Sequence, residues 1–124
     1  MPRRPFEFRF AGMPASRAAE AAARRRMRTL EMAYPAVLDW QLQVEVPRAC
    51  AADGLDYAAR VRVHVAGGTA LEGEARADDE LAALRLAFNG LEQELEEENE
   101  GARTRAAQWL QAVRSRLGQR AGAF

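Results

Sequence analysis

All 18 basic residues of this 124-residue chain are arginines, they balance 18 acids to a net charge of zero, and the two signs are kept apart along the sequence. Residues 1–30 carry a net charge of +6, residues 72–100 carry −9 and residues 101–124 carry +5. Within the first block Arg17, Arg24 and Arg28 recur at helical spacing. At about 100° per residue they fall within roughly 40° of arc and span about 16 Å of helix axis. Such a row, in a block of net positive charge, marks a candidate anion-binding face. Arg25 lies further round, on the outer side. The bland counterpart is a solvated helix face.

The acidic block ends in Glu92, Glu94 and the run Glu96-Glu97-Glu98-Asn99-Glu100. Three readings stand open: a solvated helix end, an intramolecular partner for Arg103 and Arg105, or a surface for a basic partner protein. Other chemistries lack material. One cysteine, Cys50, leaves no internal disulfide, and one histidine, His64, leaves no usual zinc set. With two serines, Ser16 and Ser115, and no acid, base and nucleophile set, no catalytic role is expected. No metal or cofactor is expected either: Glu92, Glu96 and Glu100 recur on one helix without a second element to close a cation shell. No apolar run approaches the roughly 20 residues of a membrane span, and no secretory core follows the first residues, so the expectation is a cytoplasmic protein.

The elements that must position these residues are legible from periodicity. Phe6, Phe8 and Phe10 alternate with Glu7 and Arg9, the mark of a half-buried strand. Gly12 and Pro14 break it, and Ser16 is placed to cap a helix whose apolar face is Ala19, Ala23, Met27, Leu30 and Tyr34, ending at Pro35. Leu38, Trp40, Leu42, Val44 and Val46 then alternate with polar residues as a second strand. After a loop with Asp53-Gly54 as its turn signal, Ala59, Val61, Val63 and Val65 make a third strand with His64 outward. Gly67-Gly68 turns the chain into a fourth strand, Leu71 to Ala77. Leu81, Leu84, Phe88, Leu91 and Leu95 give an amphipathic second helix that Gly101 is expected to close. Ala106, Leu110, Val113 and Leu117, with Trp109 beside them, predict a separate third helix whose apolar face is buried on the domain or across a dimer. Both tryptophans, Trp40 and Trp109, lie on apolar stripes and read as packing residues.

The fold class is therefore α+β. A four-stranded mixed sheet in β-α-β-β-β-α order carries two helices on one face and leaves the other to water, and an extra C-terminal helix follows. Residues 1–100 form the domain and residues 101–124 the amphipathic helix and tail.

In this order the residues resemble the ribosome hibernation promoting factor, or ribosome-associated inhibitor, family. The most specific stretch is Val61-Arg-Val-His-Val-Ala-Gly-Gly-Thr-Ala-Leu71, similar to the family's strand–hairpin–strand segment with Ala66 in place of a proline. Glu74-Ala-Arg-Ala-Asp-Asp-Glu-Leu-Ala-Ala-Leu84 is similar to its acidic helix start and Ala-Ala pair, and Leu91, Glu94 and Leu95 fall on its closing helix motif. The match covers about residues 6–98. The resemblance implies a fold like double-stranded RNA-binding domains, seated in the mRNA and tRNA channel of the small ribosomal subunit, with basic residues of both helices on rRNA. On the first helix it makes Arg17, Arg24, Arg25 and Arg28 the candidate RNA-binding set, their guanidinium forks suited to successive phosphates. The chain departs from the family on the second helix, where Gly90 replaces a lysine and Glu96-Glu97-Glu98 replaces basic residues. Two functions follow as expectations. The first is a non-enzymatic factor that binds small-subunit rRNA and lowers translation. The second is a protein-interaction module or homodimer on the same fold, using Glu96, Glu97, Glu98, Trp109 and Leu110.

Overall fold

The computed structural model describes residues 4–46 and 56–122, with side chains through 118. The loop signal Asp53-Gly54 and Cys50 lie outside the described residues. The elements run β1 (Phe6–Ala11), α1 (Arg17–Ala33), β2 (Trp40–Glu45), β3 (Tyr57–His64), β4 (Ala70–Ala77) and α2 (Glu80–Gly122). The strands form one sheet in the order β1-β2-β3-β4. β1 lies parallel to β2 with Phe6 opposite Trp40, which a hairpin cannot achieve, so α1 serves as the crossover. β2, β3 and β4 are antiparallel, with Leu42 opposite Val61 and Val61 opposite Gly73.

Local chemistry explains each boundary. The Ser16 hydroxyl accepts from the Ala19 N–H at 3.2 Å and caps α1. The same hydroxyl donates to Glu80 at 2.7 Å, so one side chain ties the starts of both helices together. Pro35 cannot continue α1, which ends with the Tyr34 N–H bonded to the Leu30 carbonyl at 2.7 Å. Gly67 and Gly68 take φ values of 103° and 90° in the β3–β4 turn, where a side chain would be strained. Ala19, Ala23, Met27 and Leu30 of α1 meet Trp40, Leu42, Val44, Val61 and Val63 of the sheet and Leu84, Phe88, Leu91 and Leu95 of α2 in one core. Phe8 is half-buried against its edge. The alternation predicts Leu38 on that inner face, but Leu38 is exposed and Val37 is buried instead. Strand β2 begins only at Trp40, and residue 37 makes an isolated bridge to Val65, so the alternation does not extend back to Leu38.

Helix α2 departs from expectation in length. It runs unbroken for 43 residues through Gly101, so the third helix is the outer part of the second. Gly101 does not adopt the left-handed backbone that a C-terminal glycine stop requires. Glutamates before it and alanines and arginines after it are strong helix formers, enough to carry one glycine worth about 1 kcal/mol against helix. The face formed by Ala106, Leu110, Val113 and Leu117 is consequently not buried on the domain, and Trp109 is 65% exposed rather than packed.

α2 reaches the sheet by a backbone contact. A Cβ built on Gly73 of β4 would stand 1.9 Å from the Ala87 carbonyl oxygen and 2.6 Å from the Leu91 nitrogen. Only glycine lets helix and strand approach this closely. Gly90, on the helix side, is different: its Cβ would meet the Gly73 Cα at an ordinary 3.8 Å. Replacing Gly73→Ala should therefore destabilise the fold by about 1–3 kcal/mol or more through overpacking, whereas Gly90→Ala should be neutral or stabilise by up to about 1 kcal/mol. Urea unfolding of the two variants checks this contrast, and equal effects would contradict the close approach.

Candidate nucleic-acid interface

The arginines of α1 do not form one row on one surface. Arg24 sits at the flank over the edge strand, its guanidinium carbon 5.1 Å above the Phe6 ring and its nitrogen 2.9 Å from Glu20. Arg17 and Arg28 lie on the same flank, exposed, with no side-chain ion pair among the described residues. Arg25 is exposed on the other side of the outer ridge and lines a groove of 610 Å³ between the two helices. By wheel arithmetic the four fan over about 100° of the outward half of the helix. The candidate set is thus split between a flank and a groove, bridged by the ridge.

The groove also gathers residues that sequence reasoning missed. Arg26 of α1 and Arg85 of α2 line it with Arg25, Thr29, Asp79 and Leu81. Arg26 donates to Asn89 at 2.9 Å and pairs with Glu92, clamping α1 to α2. Arg85 escaped notice because the second helix reads as acidic over its whole length. Its first turns in fact set Arg85 on the groove beside Asp79, and the long acidic run lies further on. The two acids of α1 are engaged on the β1 side: Glu20 holds Arg24, and Glu31 accepts from the Trp40 indole at 2.8 Å and holds Arg4 at 3.3 Å. Arg17, Arg25 and Arg28 are therefore left without a side-chain ion pair among the described residues.

The acidic half of α2 has structural duties of its own. Glu94 accepts from the Glu72 backbone N–H at 2.9 Å, capping an edge-strand donor. Glu98 lies 3.6 Å from Arg105 along the same helix, so the fold-back pairing expected between two helices is made within one. Glu96 and Glu97 are exposed, as are Trp109 and Leu110, and the five residues proposed as a partner surface sit beyond or at the margin of the domain core. Near the end of α1, Tyr34 feels this charge. Burial, then the carboxylates of Glu96 and Glu92, raise its phenol above the ordinary value, with Arg103 opposing.

The open face of the sheet is charged but balanced. Arg60 lies 2.8 Å from Glu72 and 3.4 Å from Glu74, and Arg9 pairs with Glu7. His64 is half-buried, its Nδ1 2.9 Å from Asp39, whose carboxylate also accepts the His64 backbone N–H at 2.9 Å. That pairing fixes a strand end and needs no ligand. Among the described residues no group of three or more His, Cys, Asp or Glu is arranged to hold a metal ion, and no helix is long and apolar enough to cross a membrane.

These features define a small α+β module that offers its helical layer, rather than its sheet, as the net-charged surface. Residues 6–103 match the family described as Sigma 54 modulation protein / S30EA ribosomal protein, and the chain belongs to that family. The hibernation-factor resemblance of residues 6–98 falls within the same segment. Among solved structures the chain is similar to a ribosomal subunit interface protein from Coxiella burnetii, at 14% identity and a TM-score of 0.62, over 76% of this chain and 98% of that one. It is also similar to the N-terminal domain of Thermus thermophilus Protein Y, at 16% identity and a TM-score of 0.53, over 75% of this chain and 96% of that one. At these identities the likeness is one of fold. No curated protein matches the chain.

The position of Tyr34 gives a pH prediction. Its unfolded phenol ionises near pH 10, and the folded one later, so its contribution to stability is complete below about pH 10 and is lost as pH rises through the raised folded value. Absorbance titration at the tyrosinate band should show one late-ionising phenol that disappears in Tyr34→Phe and shifts down in Glu92→Gln/Glu96→Gln. A titration without a late phenol would contradict the arrangement.

Proposed function

We propose that this protein binds rRNA of the small ribosomal subunit through the outer ridge of α1 and lowers translation without catalysis, as a cytoplasmic hibernation factor. The observation that carries the reading is the exposed charge on both sides of the ridge: Arg17 and Arg28 on the flank and Arg25 at the groove project from a family fold with no side-chain ion pair among the described residues. Arginine forks on the outer side of α1 meet phosphates, and Arg85, exposed at the groove, extends the basic surface toward α2. Backbone recognition of this kind reads the shape of folded RNA, not its sequence. The acidic stretch from Glu92 to Glu100 confines the contact, because its carboxylates repel phosphate and keep that half of α2 off the RNA. Residues 1–100 thus do the ribosomal work, and residues 101–124 form an appendage. A second reading, a surface for another protein chain, is favoured by the exposure of Trp109, Leu110 and Leu117 on that appendage.

Co-pelleting with purified small subunits tests the first reading. If the ridge meets about three phosphates, log K should fall against log salt with a slope of roughly −2 to −3. Arg25→Glu/Arg28→Glu should abolish pelleting, and Arg62→Glu, on the exposed sheet face, should leave it unchanged. Salt-independent pelleting, or loss from the Arg62 change alone, would overturn the ridge as the interface.

A further inference from the structure

The outer part of α2 continues the stripe that covers the sheet. At about 100° per residue, Leu84, Phe88, Leu91 and Leu95 share one face with Ala102, Ala106, Trp109 and Val113, and Leu110 and Leu117 flank it within about 100° of arc. Leu95 is the last buried residue of the stripe, at 3% exposure, whereas Trp109, Leu110 and Leu117 are 65%, 48% and 59% exposed. The stripe therefore runs for more than 20 residues past the sheet, about 30 Å, with no part of the described chain beneath it.

The charges beside the stripe say what fits there. Residues 92–100 hold six glutamates and no base, and residues 101–118 hold four arginines and no acid. Two copies packed in parallel would set glutamate against glutamate and arginine against arginine. Two copies packed antiparallel do the reverse. Wheel positions sharpen the match: Glu96 and Arg114 fall on one flank of the stripe, and Glu98 and Arg116 on the other. In an antiparallel pair the same flanks face each other. A crossing at Ala106 then brings Glu96 to Arg114 of the partner subunit and Glu98 to Arg116 of the partner subunit, with the small Ala106 at the closest approach and Leu110 opposite Ala102 of the partner subunit. One crossing point satisfies both flanks.

We propose that the outer half of α2 is a self-association surface, on which a second copy of this chain packs antiparallel with its crossing near Ala106. This commits the second reading above to one occupant. It does not depend on ribosome binding, since the ridge of α1 lies on another surface. The pair buries the exposed tryptophan and leucines and exchanges the local Glu98–Arg105 contact for intermolecular ones. The two domains stand at opposite ends of the paired segment.

Sedimentation velocity of the full chain, without ribosomes, tests it. The unmodified protein should sediment as a dimer that weakens with salt. Glu96→Arg/Glu98→Arg and Arg114→Glu/Arg116→Glu should each sediment as monomers, because either change alone sets like charges across the pair. An equimolar mixture of the two variants should restore the dimer, because every flank is again complementary. Thermal melts followed by circular dichroism should show all three proteins folded, the altered residues being on the exposed outer helix or at its margin. An unmodified chain that stays monomeric up to about 100 μM, well above a micromolar Kd, would overturn the proposal. So would variants that still dimerise alone, or a mixture that stays monomeric. None of these outcomes bears on salt-sensitive pelleting with small subunits, so the two readings fail separately.

Discussion

The contact on which the molecule turns is the backbone approach of α2 to β4 at Gly73. A helix normally stands off a sheet by the depth of its side chains. Here the Ala87 carbonyl and the Leu91 nitrogen occupy the space a Cβ would fill. That approach lowers α2 onto the last two strands, seats Phe88 beside Trp40, and fixes how far α2 stands from α1. The interhelical groove, the clamp from Arg26 to Asn89 and Glu92, and the line along which α2 leaves the domain are all set by it. The bond from Ser16 to Glu80 registers the other end of the same helix pair.

One helix consequently carries two environments. Its first turns lie on the basic groove and its core residues cover the sheet. Its acidic middle caps β4 through Glu94 and holds α1 through Glu92. Beyond Gly101 it stands clear. Charge segregation along the sequence thus becomes segregation in space: arginine on the outer ridge of α1, carboxylate at the far shoulder of the domain, arginine again on the free helix. The arginines of α1 and those of the free helix are kept apart by the acidic shoulder between them.

Much of this was legible in the sequence because it depends on local chemistry. The period-two runs gave three strands their faces, Ser16 and Pro35 bounded α1, and Gly67-Gly68 marked the hairpin. What was missed depends on contacts distant in sequence or on competition between weak signals. Gly101 reads as a stop only if its neighbours are poor helix formers, and they are good ones. Leu38 fits an alternation that the chain abandons at the bridge from Val37 to Val65. The pairing of His64 with Asp39 spans 25 residues and follows from the way the chain enters β2 beside the end of β3. Trp109 shows the sharper limit: an amphipathic stripe reveals that a face seeks cover, and only the fold reveals whether the chain supplies it. Helical spacing groups the α1 arginines, yet their split between flank and groove, and the roles of Arg26 and Arg85, required the second helix to be in place.

We propose that the arginines of α1, and not the sheet or the acidic shoulder, meet folded RNA. Electron cryomicroscopy of the protein bound to purified small ribosomal subunits tests it most directly. Arg25 and Arg28 should stand within reach of rRNA phosphates, with Glu96 and Glu97 turned away from the RNA. Density that instead seats the sheet face on rRNA, or sets the acidic shoulder against it, would contradict the account.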